Sequence, residues 1–173
     1  AFLAYNQIGP DYFAATETSP GTAFMDAKRM VAAVRAARQR ADVVVVSCHW
    51  GIEYTPYPNA SQQELAQTLV DAGAALIIGH HPHVVQSLGY RQGAFTAYSL
   101  GNFVFDQGFS EETSQGLVLR CLLDASGVKM VEFLPVRITD CQPALMSPED
   151  GASLLERIMS VTEEQGALPR ASQ

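Results

Sequence analysis

The sequence predicts an α/β layer fold, and three observations carry that prediction. Residues 26–79 read as helix, strand, helix, strand, the alternation expected of parallel strands joined by crossover helices. Val43-Val44-Val45-Val46 and Leu76-Ile77-Ile78 are unbroken apolar runs, as strands covered on both faces should be. Beyond residue 83 the pattern changes to short strands separated by turn residues.

Each element has its own signal. Phe2-Leu3-Ala4-Tyr5 predicts a short buried strand starting almost at the first residue. Residues 6–25 carry Gly9-Pro10 and Ser19-Pro20-Gly21 and predict loop. In residues 26–40, Met30, Val31, Val34 and Ala37 fall near helical spacing, and Arg35, Arg38 and Arg40 crowd the end, where cations suit the helix dipole. A second helix is predicted over 61–72, entered through Pro58-Asn59-Ala60-Ser61 and left at Gly73. Strands are predicted at Val84–Leu88, Ala94–Ser99, Gly116–Leu123 and Val128–Ile138, with Asp124-Ala125-Ser126-Gly127 as a hairpin turn. A last helix spans 148–164, with Ser147 as N-cap, Pro148 in the first helical position and Glu149 and Asp150 in the first turn. The tail after Gly166 is expected to fray.

Composition narrows the function. The 173 residues are 47% hydrophobic and 17% charged, which excludes a disordered chain. No run of 18 apolar residues occurs, so no transmembrane segment is expected, and no signal peptide is visible. The formal net charge is −7, and without basic runs nucleic acid is not an expected partner. Cys48, Cys121 and Cys141 are odd in number and far apart, so a disulfide framework is not expected.

All four histidines, His49, His80, His81 and His83, directly follow a predicted buried strand. In open α/β sheets ligands bind outside the carboxyl ends of the strands. If the two strands are parallel neighbours, all four imidazoles gather at one sheet edge. A lone histidine at a strand end is ordinarily capped by a hydrogen bond, and that reading suffices for His49 alone. Stability gives no reason for every histidine to collect at one place, so the group points to a metal or acid–base cluster. Pro82 biases His81 toward extended backbone, and in an extended segment His81 and His83 would point the same way. His80 would then point oppositely, as a hydrogen-bond donor to substrate or as a buried side chain.

The stretches His49-Trp50-Gly51-Ile52-Glu53-Tyr54, Gly79-His80-His81-Pro82-His83-Val84-Val85-Gln86 and Tyr98-Ser99-Leu100-Gly101-Asn102-Phe103-Val104-Phe105-Asp106 together resemble the CapA family of poly-γ-glutamate capsule synthesis proteins. That family lies within the calcineurin-like metallophosphoesterases. The resemblance implies a four-layer α/β/β/α sandwich of two mixed sheets with two metal ions held by loops at strand ends, the metal being manganese, iron or zinc. It implies His49, His81 and His83 as metal ligands, with His80 as the alternative to His81 or as a catalytic residue. The superfamily's earlier ligands are absent: none of the eight aspartates is followed two positions later by histidine, and no Gly-Asp or Asn-His dipeptide occurs. The chain is therefore expected to be the later portion of such a domain, over residues 1–140, with a helix and tail over 141–173.

Neighbouring residues have two readings each. Glu53 either takes the second nitrogen–hydrogen of a ligating histidine or is a solvated loop carboxylate. Asn102 either donates to a phosphate or carboxylate oxygen or bonds its own backbone in a turn. Asp106 and Gln107 give weaker signals. Trp50 either walls a pocket or belongs to the core, and Gly51 allows a tight turn. Tyr54-Thr55-Pro56-Tyr57-Pro58 is either a contact for an extended polymer or a rigid loop.

Two functions follow from the resemblance. One is a metal-dependent hydrolase acting on a phosphoester or related anionic bond. The other is a non-catalytic accessory that binds an anionic polymer or the capsule synthesis machinery. Family members stand at the outer face of the cell membrane, so the cell envelope is the expected location.

Overall fold

The computed structural model describes residues 1–164; the predicted fraying after Gly166 lies outside them. The chain forms β1 (Phe2–Asn6), α1 (Ala27–Arg38), β2 (Val45–His49), α2 (Ala60–Ala72), β3 (Leu76–His80), β4 (Leu88–Arg91), β5 (Ala94–Ala97), β6 (Gln115–Asp124), β7 (Gly127–Thr139), β8 (Gln142–Leu145) and α3 (Pro148–Glu164). Strands β1, β2, β3 and β5 pair in parallel and β4 closes the sheet antiparallel, in the order β1-β2-β3-β5-β4. Strands β6, β7 and β8 form a second sheet, antiparallel throughout. This is the α/β sandwich the sequence implies, except that its second sheet is antiparallel rather than mixed.

The all-apolar run before His49 serves both faces of the first sheet. Val44, Val46 and Cys48 pack with Met30 and Val34 of α1, Ala66 and Leu69 of α2, and Trp50. Val45 points the other way, into a core with Leu76, Phe95, Leu117 and, from α3, Leu154 and Ile158. Alternation of successive side chains makes this division unavoidable once the strand is central. By contrast β1 is the outer strand, and Phe2 is 82% exposed, so the expectation of a buried first strand does not hold for that residue.

The helices start where their caps are. The Asp26 carboxylate accepts from the Arg29 backbone N–H at 2.8 Å. Asn59 and Gln62 form a reciprocal capping box at α2. The Ser147 hydroxyl accepts from the Asp150 backbone N–H at 3.1 Å, as expected of an N-cap.

Two strand expectations change. Val84–Leu88 is not a strand, because His81 and His83 take φ of 102° and 60° and coil the chain beyond β3; apart from a single bridge between Val85 and Leu100, pairing resumes at Leu88. Strand β8 was not foreseen. It follows Asp140-Cys141, both at positive φ, the backbone of a tight two-residue hairpin turn that ordinarily shows as Asn-Gly or Asp-Gly.

Candidate metal centre

Strands β2 and β3 run parallel with His49 opposite His80, so both histidine groups do reach one sheet edge. The Trp50 backbone N–H then donates to the His80 carbonyl at 3.0 Å and ties the two exits together. Trp50 itself is core: it is 1% exposed and its indole N–H donates to the Tyr98 carbonyl at 3.0 Å. At Gly51 the chain turns with φ of 97°, and an added Cβ would stand 2.7 Å from the Gln62 side chain. That turn brings the 51–58 loop back over the segment after β3, where the Tyr54 N–H donates to the Pro82 carbonyl at 2.8 Å. Buried Gln86 fastens the loop from below. Its amide donates to the Thr55 and Tyr57 carbonyls at 3.0 and 3.1 Å and accepts from Gln62 at 3.1 Å.

His81 and His83 converge by a route other than the extended one expected from Pro82. Both occupy positive-φ backbone, a region in which histidine is enriched but which still stores strain. The ligand atoms of Glu53, His81 and His83 all lie within 4.8 Å of one another, and these three residues could hold a metal ion. The His49 ring lies 5.0 Å from that of His81, and the His81 ring 5.8 Å from that of His83. His49 thus flanks the group of three without belonging to it, and His80 remains half-buried at the end of β3. Two imidazoles and a carboxylate suit manganese, iron or zinc by donor type.

Glu53 is exposed in its loop, as one of its two sequence readings expects, and its carboxylate also faces the group. Its carboxylate lies 3.8 Å from Nε2 of His83, too long for a hydrogen bond and directed at the nitrogen that would meet a metal. The other nitrogen of that ring, Nδ1, lies 2.8 Å from Oδ1 of Asn102. Asn102 is 6% exposed, and its amide donates to the Thr113 carbonyl at 2.9 Å and to Oε1 of Gln107 at 3.3 Å. Both amide hydrogens are thereby engaged, by Thr113 and Gln107 rather than by the backbone of the Asn102 turn. Gln107 in turn donates to the Tyr54 hydroxyl at 3.1 Å. Tyr54 stacks on His83 with ring centres 6.0 Å apart, and Phe105 lies against His83 at 5.0 Å. Sequence reasoning gave Gln107 little weight, because a glutamine in a loop carries no spacing signal.

Burial lowers the pKa of His49, His80 and His81 below the ordinary 6.5. For His49 the neighbouring His81, His80 and His83 add to the effect. For His81 the Glu53 carboxylate opposes it and His83 reinforces it. The lowered pKa favours the neutral imidazole at His49, His80 and His81, the form that binds metal.

Residues 2–107 match the family described as bacterial capsule synthesis protein PGA_cap. The chain is 39% identical to the PGA biosynthesis protein CapA of Bacillus subtilis over 144 residues, covering 83% of this chain and 38% of that protein. It is 38% identical to the capsule biosynthesis protein CapA of Bacillus anthracis over 159 residues, covering 89% of this chain and 38% of that protein. A probable polyglutamine synthesis accessory protein of Mycobacterium tuberculosis is 28% identical over 171 residues, 91% of this chain and 45% of that protein. The chain thus spans well under half the length of these relatives.

Proposed function

From the membership of this chain in the bacterial capsule synthesis protein PGA_cap family, we propose that it serves capsule or poly-γ-glutamate biosynthesis through a metal-dependent site that hydrolyses a phosphoester or related anionic bond. The observation that carries the reading is the convergence of Glu53, His81 and His83 at the carboxyl ends of two parallel strands. These three side chains would hold a divalent ion, with His49 beside them for a second. A bound ion would supply a Lewis acid and lower the pKa of a coordinated water.

The protein's own groups have distinct tasks in this reading. Glu53 would offset part of a bound ion's positive charge, which imidazole ligands leave uncompensated. Asn102 orients His83 so that Nε2 faces the site. His80 is neutral near pH 7 because burial lowers its pKa, so it serves as an N–H donor to a substrate oxygen rather than as a proton source. The exposed Tyr54 and Tyr57 rings border the approach. The anionic substrate is matched to the metal, since the chain's net charge of −7 would repel it elsewhere. The cell envelope is the setting that capsule synthesis requires, and no described helix is long and apolar enough to cross a membrane.

The name of the mycobacterial relative, an accessory protein, favours a second reading: a polymer-binding role in the synthesis machinery without hydrolysis. Manganese-dependent hydrolysis of an aryl phosphoester separates the two. The hydrolase reading expects turnover that falls at least a hundredfold in His83→Ala. Absence of turnover, with capsule formation fully rescued by His83→Ala in a deletion strain, would establish the accessory role.

A further inference from the structure

We infer that a cavity between α2 and the β4–β5 edge of the first sheet binds an amino-acid-type ligand, one that carries a carboxylate and an N–H group. The cavity has a volume of about 410 Å³ and is walled by Glu64 and Gln67 of α2, Gly89 and Arg91 of β4, Thr96 of β5 and Tyr98 just beyond it. That volume suits a small molecule. Gly89, opposite Thr96 in the pairing of β4 with β5, leaves the floor without a side chain; a Cβ there would stand 3.6 Å from the Tyr98 hydroxyl. Tyr98 is 9% exposed and Thr96 4%, yet neither hydroxyl hydrogen-bonds any described residue. A buried tyrosine hydroxyl ordinarily has a partner. The Tyr98 ring is held where it is, stacked on Trp50 with centres 6.1 Å apart, while the Trp50 indole donates to the Tyr98 carbonyl at 3.0 Å. Arg91 is exposed at the rim and ion-pairs with no carboxylate among the described residues. Its charge reaches the Tyr98 hydroxyl: burial raises that pKa and Arg91 opposes the rise. The guanidinium and the two hydroxyls can all donate to one carboxylate. Glu64, exposed on the facing helix, can only accept, so it suits an ammonium or amide N–H. A purely anionic ligand would meet Glu64 and the chain's net charge of −7, and a purely cationic one would meet Arg91. A ligand with both groups satisfies every wall.

The test uses the metal-free chain and does not depend on the metal centre. Carbon-13 correlation spectra of the Tyr98 ring and the Thr96 methyl are followed while L-glutamate is added. Saturable shifts at both are expected, with the imidazoles of His81 and His83 unmoved. Arg91→Gln, at an exposed position, should weaken binding about tenfold, the worth of a hydrogen bond to a charged group. Tyr98→Phe, which keeps the stacked ring, should weaken it about fivefold. Glutarate, with the carboxylates but no amine, should bind about threefold more weakly than glutamate, and the difference should vanish in Glu64→Gln. The choice of glutamate rests on the proposed capsule function. A γ-linked glutamate trimer that binds as tightly as glutamate assigns the cavity to the polymer, and a trimer that does not bind assigns it to the free amino acid. Shifts with alanine or serine but none with glutamate would keep the site and count against that function. No shift at Tyr98 or Thr96 with any of these probes, or binding that Arg91→Gln leaves unchanged, would overturn the inference.

Discussion

Gly79 stands where β3 passes the Tyr98 backbone so closely that an added Cβ would lie 1.8 Å from the Tyr98 carbonyl oxygen. Rigid backbone cannot yield as a flexible side chain can. Gly79→Ala should therefore cost about 3 kcal/mol, at the upper end for overpacking, read as a lowered midpoint in urea. The histidines make a second prediction at this scale. His49, His80 and His81 bind protons less readily folded than unfolded, because burial lowers their pKa. The unfolded state takes up more protons as pH falls below about 6.5, so stability is full above that value and declines beneath it. The carboxylates with lowered pKa, Glu112 and Asp124, act only in the more acidic range below 4.5. Metal-free protein should thus melt progressively lower between pH 6.5 and 5, and a flat profile there would count against the buried cluster.

Among the elements, α2 carries the cap that also secures the site. The Asn59 side chain accepts from the Gln62 N–H at 2.9 Å and Gln62 returns a bond to the Asn59 N–H at 3.0 Å. The same Gln62 donates to Gln86, which holds the 51–58 loop. Asn59→Ala should cost about 1 kcal/mol of stability, seen as a fall in melting temperature. If the cap is uncoupled from the loop, manganese affinity will not change with it; the shared Gln62 predicts a modest loss.

Helices and central strands were legible because periodicity and caps are local: Ser147 caps the helix it announces, whereas Asp26, read as the first residue of its helix, proves to be the cap before it. The gathering of His49, His80, His81 and His83 at one edge was legible from their positions after apolar runs. Strand β8 was not, because Asp140-Cys141 conceals a turn usually marked by glycine. Nor was the path from His81 to His83, where Pro82 argued for extension and tertiary contacts imposed positive φ. The partnership of Glu53 with His83, and of Gln107 with Tyr54, joins loops distant in sequence, and no spacing rule reports such pairs.

For the molecule as a whole, the two cores share one sheet, and they can be probed through the thiols. All three cysteines are free. Cys48 is fully buried beneath α1 and α2, and burial pushes its pKa up to about 12. Cys141 is exposed in the β7–β8 turn. A thiol reagent at pH 8 should modify Cys141 within seconds to minutes and Cys48 only on unfolding, with half-buried Cys121 between them. Equal rates for Cys48 and Cys141 would contradict the packing.

The most direct test of the metal centre is elemental content per chain, measured by plasma mass spectrometry after purification without chelators. Wild-type protein should carry stoichiometric manganese, iron or zinc, and His81→Ala/His83→Ala should carry none. Metal-free wild type that also fails to take up manganese or zinc on dialysis would contradict a metal centre built on Glu53, His81 and His83.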